Sequence, residues 1–124
     1  MASEHWKDEP ETQDFPAAET YLSLLVGHTL AGTLVNALRK QQTLDHFAAK
    51  DLLRASGLSL LAADDSEVAK DLYKVKAGDK LSPVLLIAGE PLWVADGYHR
   101  ICASYHLDEK ILVPCLMTGR TITS

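Results

Sequence analysis

The residues best equipped for chemistry in this sequence stand together as Asp96-Gly97-Tyr98-His99-Arg100. An apolar run, Leu92-Trp93-Val94-Ala95, precedes them, and Ile101, Cys102 and Tyr105 follow on one helical face. That order predicts a strand that ends, a turn at glycine and a helix that begins. A helix start carries N–H groups without intrahelical partners and the positive end of the helix dipole. Together they bind anions, phosphate above all. Arg100 adds a fixed cation whose fork suits phosphate. His99 can donate a hydrogen bond or carry a proton near neutral pH. Asp96 can cap the helix, hold Arg100 or help position a magnesium ion. An arginine in a first helical turn opposes the dipole, at a cost of a few tenths of a kcal/mol. It therefore asks for a partner, either an anion ligand or Asp96. The plainer reading is an Asp-Gly turn followed by ordinary surface residues.

The elements that must position these residues can be read around them. Val84-Leu85-Leu86-Ile87 is a continuous apolar run after Pro83, the mark of a buried strand. Ala88-Gly89-Glu90-Pro91 is a turn, so residues 84–87 and 92–95 form a hairpin. Val68, Leu72 and Val75 mark the buried face of a helix over 66–76. Asp64 and Glu67 open it as a capping box, and Gly78 stops it. Residues 45–49 read as a short strand, 50–55 as a helical turn closed by Gly57, and 58–61 as a packed connection or short strand. A helix over 99–106 and a last strand over 111–117 follow, with Pro114 expected at an edge or a bulge. Upstream, Pro16 suits a first helical turn, and Thr29 can cap a second helix bearing Leu30, Leu34 and Leu38. Residues 16–42 are thus a helical hairpin or a broken helix. The class is α+β: a small mixed sheet with packed helices and an N-terminal helical extension.

Composition bounds the partners. The 124 residues are 47% hydrophobic and 23% charged, with a net charge of −5. The first 14 residues hold five acids against Lys7, so the acidity sits in what reads as a flexible, solvated tail, and the remainder is nearly neutral. A strongly basic nucleic-acid footprint is excluded, whereas a locally basic pocket is not. No apolar run approaches the roughly 20 residues that span a bilayer. Cys102 and Cys115 have no metal-ligand spacing and read as buried free thiols of a cytoplasmic protein. No metal-ligating set is apparent. Trp93 reads as core or pocket wall, and His106 as structural at a helix end.

Asp96–Arg100 opening a helix, followed by Ala103, resembles the D/G-G-x-H-R motif of the ParB/sulfiredoxin superfamily. The resemblance runs back through Asp65-Ser66-Glu67-Val68, Lys76-Ala77-Gly78 and Leu81-Ser82-Pro83-Val84. It runs forward to Ile111-Leu112-Val113-Pro114 and covers residues 44–118. It divides the chain into a tail at 1–14, a helical extension at 15–43 and a ParB/sulfiredoxin-like domain at 44–124. It implies a site that grips nucleotide phosphates through Asp96, Gly97, Tyr98, His99 and Arg100, the nucleotide being ATP, ADP or CTP with magnesium. Sulfiredoxins place a catalytic cysteine directly before the His-Arg pair, where this sequence has Tyr98. DGYHR stands nearest to the D-G-H-H-R form of small free-amino-acid kinases, which implies ATP- or ADP-dependent phosphoryl transfer to a small molecule.

The catalytic set is then Asp96, His99 and, as the carboxylate base, Asp51. The glutamate expected near Gly57 and Leu58 is absent, and Asp51 is the only carboxylate nearby. Lys50 and Arg54 would add charge to the phosphate site. A nuclease-like alternative pairs Asp96 with Asp51 or Glu90. Direct DNA binding is not expected without a partner. The non-catalytic alternative is an interaction module that pairs with a copy of itself through residues 16–42, with Leu30, Leu34 and Leu38 as the seam.

Overall fold

The computed structural model describes residues 5–120. Its elements are α1 (Asp14–Val26), α2 (His28–Arg39), β1 (Asp45–Ala48), α3 (Ala49–Ser56), α4 (Ser66–Lys76), β2 (Val84–Ala88), β3 (Trp93–Asp96), α5 (Tyr98–Leu107) and β4 (Leu112–Gly119). The four strands form one mixed sheet in the order β1-β4-β2-β3, in which only β2 and β4 run parallel. This is the α+β class expected. No helix among the described residues is long and apolar enough to cross a membrane.

The apolar run of β2 explains the layering. A strand apolar on both sides needs cover on both faces. Leu86 packs into a core with Leu52, Val68, Val94, Ile101 and Val113, beneath α3, α4 and α5. Leu85 and Ile87 point the other way, onto Ala18, Leu22, Leu34 and Leu38 of α1 and α2. The helical hairpin expected as an extension is thus one of the two helical layers that cover the sheet. Leu34 and Leu38 are fully buried inside the chain, so the expected seam between copies is corrected.

Several local expectations change with the tertiary context. Residues 5–14 are not a solvated tail: Trp6 bridges Leu81 in parallel, is 2% exposed and belongs to the core under α3–α5. Burial of an indole outweighs the polar character of its neighbours. The expectation for residues 1–4 lies outside the described residues. Gly27, at φ 86°, turns the chain between α1 and α2, and no side chain caps α2. Thr29 therefore lies inside the first turn rather than before it. Asp65, not Asp64, caps α4, its carboxylate accepting from the N–H groups of Glu67 and Val68 at 3.0 and 3.2 Å. Residues 58–61 take the first of their two expected forms, a connection without strand pairing. Pro114 lies on β4, an inner strand, opposite His46 of β1. The pairing with β2 starts one residue later, at Cys115, so proline occupies a stretch where β4 has a single neighbour.

Candidate functional site

Asp96 closes β3, and Gly97 turns the chain into α5 at φ 110°. The glycine is demanded by packing. A Cβ there would stand 2.4 Å from Val84 Cγ1 and 2.9 Å from Arg100 Nη2. The first bond of α5 runs from the N–H of Ile101 to the carbonyl of Gly97. No side chain caps the helix, so the N–H groups of Tyr98, His99 and Arg100 form the uncapped start of α5, on residues that are only partly buried.

Arg100 folds back one turn. Its Nη2 donates to Asp96 Oδ2 at 3.0 Å and to the Pro83 carbonyl at 3.3 Å, while its buried Nε has no partner. The cation that opposes the dipole thus has a carboxylate counter-ion. Two further carboxylates that the sequence reading missed bear on this pair. Asp14, at the start of α1, is buried, and its carboxylate accepts from the Glu11 N–H at 2.9 Å. Asp71 lies on the buried face of α4. Asp71 carried a readable signal: it falls within the apolar stripe Val68–Leu72–Val75, where a charge is out of place. Asp14 carried none, because it reads as part of an acidic run.

Burial sets the electrostatics. It pushes the Asp96 carboxyl above the usual range, against the charge and hydrogen bond of Arg100, and neighbouring Asp14 pushes the same way. Burial likewise raises Asp71, against the attraction of Arg100, Lys74 and His99. The ionised form of Asp71 therefore costs the folded state. That cost is absent below the unfolded value of 3.8, grows as pH rises through the raised folded value, and is complete above it. Asp71→Asn is expected to raise the melting temperature at pH 7, with the gain shrinking as pH falls toward 3.8. Melting curves of both proteins across that range check it, and a variant less stable at pH 7 contradicts it.

Tyr98 and His106 are occupied structurally. The Tyr98 hydroxyl donates to the Ser59 carbonyl, and His106 Nε2 lies 2.7 Å from the Leu61 carbonyl, so both ends of α5 hold the 58–61 connection. The His99 ring stands 5.5 Å from that of Tyr98. Trp93 lies under Arg120, whose guanidinium carbon is 3.7 Å from the indole centroid. Cys102 and Cys115 are fully buried, and burial raises both thiols, Cys115 to about 12. Neither has the lowered pKa of a reactive thiolate.

Asp51 and Lys50 do not join the junction. Asp51 pairs with Lys50 and Arg54 at 3.6 and 3.5 Å and lines an apolar cleft of about 260 Å³ with Phe47, Leu86, Leu92 and Met117. That cleft adjoins the start of β3, whereas Asp96 is its end. Lys50 lines another cleft, of about 490 Å³, with Tyr105 and Glu109, and its N–H donates to the Glu109 carbonyl. Those contacts lie at the C-terminal end of α5, about 15 Å of helix from its start. Of the expected set, the structure brings together Asp96, Gly97, His99 and Arg100, with Tyr98 turned to the 58–61 connection.

Among the described residues, no group of three or more His, Cys, Asp or Glu is placed to hold a metal ion. A divalent cation at the junction would need ligands from a bound molecule as well as from Asp96. No family model matches the chain, and no curated protein or solved structure matches it either.

Proposed function

We propose that the junction of β3 and α5 binds the phosphates of a magnesium-complexed nucleotide. One observation carries this: the uncapped first turn of α5 combined with an arginine held beside it by Asp96. Helix N–H groups and a guanidinium are complementary to phosphate oxygens. The resemblance of residues 44–118 to the ParB/sulfiredoxin superfamily supports the same location. Asp96, Asp14 and Asp71 would repel a bare phosphate, so the ligand that fits arrives with its charge partly neutralised. Magnesium is bound in this way, through one or two carboxylates plus phosphate oxygens. ATP, ADP and CTP are the candidates.

Phosphate binding would exchange one partner of Arg100 for another and release the Asp96 carboxylate. Asp96 would then accept the proton of a small-molecule hydroxyl, and His99 would donate to a phosphate oxygen. Phosphoryl transfer needs little beyond such positioning and charge compensation. Buried, unpaired thiols suit a reducing compartment, so a cytoplasmic location belongs with this reading.

Calorimetric titration of the chain with each nucleotide and magnesium tests the proposal. The wild type is expected to bind at least one of the three. Arg100→Ala should weaken that binding roughly tenfold to a hundredfold, the range for losing hydrogen bonds to a charged group. Arg100→Lys, which keeps the charge without the fork, should fall between them. Absence of binding by the wild type, or equal binding by Arg100→Ala, rejects the reading.

A further inference from the structure

Asp71 is a buried carboxylate that the fold does not use. It stands in the apolar stripe of α4 and is 9% exposed. Among the described residues, no hydrogen bond and no ion pair reaches its carboxylate. The charges that face it come from two helices. Arg100 exerts the strongest attraction, followed by Lys74 and His99, while Glu67 repels. Lys74 and Glu67 belong to α4 and are exposed, whereas Arg100 and His99 form the first turn of α5.

Arg100 has the complementary deficit. Its Nη2 is taken by Asp96 and the Pro83 carbonyl, but its buried Nε has no acceptor. The junction therefore holds a buried donor without an acceptor and, facing it, a buried acceptor without a donor. Each costs the folded state. Charged groups kept at such a cost belong to functional sites more often than to the rest of a fold.

We propose that Asp71 is the second docking point of the Arg100 guanidinium. Arg100 rests on Asp96 in the free protein and turns toward Asp71 when a phosphate takes its place beside the helix start. The proposal rests on the phosphate-binding reading above and deepens it. Release from Asp96 would leave Arg100 with a protein counter-ion only at Asp71, since Lys74 carries the same charge as the guanidinium. A guanidinium has five donors in a planar fork, enough to serve a phosphate on one edge and a carboxylate on another. Asp71 is thus a positioning residue that acts through Arg100. The ligand selects between two discrete positions of one side chain.

Two sets of variants test this, and the first needs no ligand. In the wild-type background Asp71→Asn is expected to raise the melting temperature, as argued above. Asp96→Asn keeps the shape of the first docking point and removes its charge. Arg100 should then rest on Asp71, so adding Asp71→Asn to that variant should lower the melting temperature. The second set reads calorimetric titrations with the magnesium complexes of ATP, ADP and CTP. Asp71→Asn should weaken binding about threefold to tenfold, the loss of one ordinary hydrogen bond. Glu67→Gln removes an equal charge from the exposed side of the same helix and should not weaken it. In an Arg100→Ala background Asp71→Asn should not weaken it either, because the carboxylate then only repels phosphate. A melting shift of the same sign in both backgrounds overturns the proposal. So does an Asp71→Asn variant that binds nucleotide as tightly as the wild type or more tightly. If the wild type binds no nucleotide, the phosphate-binding reading fails, and the reversal of the melting shift still decides whether Asp71 is the second partner of Arg100.

Discussion

Trp6→Ala is expected to destabilise the protein by about 3–5 kcal/mol, the usual cost of deleting a large buried aromatic side chain. The melting temperature should fall by roughly 10 °C or more for a chain of this size. Trp6 is 2% exposed and shares a core with Ala49, Leu52, Val68 and Val84. The chain around it is fixed by two backbone bonds at 2.8 Å, from Lys7 N–H to the Leu81 carbonyl and from Leu81 N–H to the His5 carbonyl. The indole Nε1 is buried without an acceptor, which costs about 1–3 kcal/mol in the native state. Trp6→Phe removes that orphaned donor while keeping most of the volume, so it should be the milder substitution by a similar amount. Urea and thermal unfolding of both variants check this. If residues 5–8 were a solvated tail, Trp6→Ala would lie within about 0.5 kcal/mol of the wild type.

Gly97→Ala should be comparably damaging for a different reason. A side chain at φ 110° is strained by about 1–3 kcal/mol. Its Cβ would also fall 2.4 and 2.8 Å from Val84 Cγ1 and Cβ. Val84 is fully buried, so overpacking adds about 1–3 kcal/mol more. Gly57→Ala is the matched control. Gly57 also has a positive φ, 71°, but nothing lies within 4 Å of its Cβ position. Only conformational strain should appear there, about 1–2 kcal/mol. Equal losses at the two positions would show that the collision with Val84 is absorbed. Nucleotide titration of whatever Gly97→Ala protein remains folded adds a second readout. Displacing Arg100, whose Nη2 would lie 2.9 Å from the new methyl group, should weaken binding beyond what stability explains.

Local patterns were enough for most elements. The stripe of Val68, Leu72 and Val75 located α4, because a 3.6-residue period records which side of a helix avoids water. The unbroken run Val84–Ile87 marked a strand covered on both faces, and the sheet does lie between two helical layers. The turn at Gly97 and the helix after it followed from a strand, a glycine and a new period. Capping residues were less legible. Asp64 and Asp65 are chemically equivalent candidates, and the geometry of the turn decides which carboxylate reaches the first N–H groups. The acidic run before Pro16 hid Trp6 and Asp14, since composition averages over positions whereas burial selects single side chains.

What the sequence determined alone was the class of the fold, the strand–glycine–helix junction and the residue types placed there. These depend on neighbours within a few positions, where periodicity and backbone preference act directly. The company those residues keep was decided by tertiary structure. Lys50 and Asp51 were drawn to other clefts because α3 packs toward the far end of α5. Asp14 was brought to Asp96 and Asp71 to Arg100 from segments distant in the sequence. The charge balance of the site, and the buried role of the N-terminal hairpin, follow from those long-range packings, which no local pattern encodes.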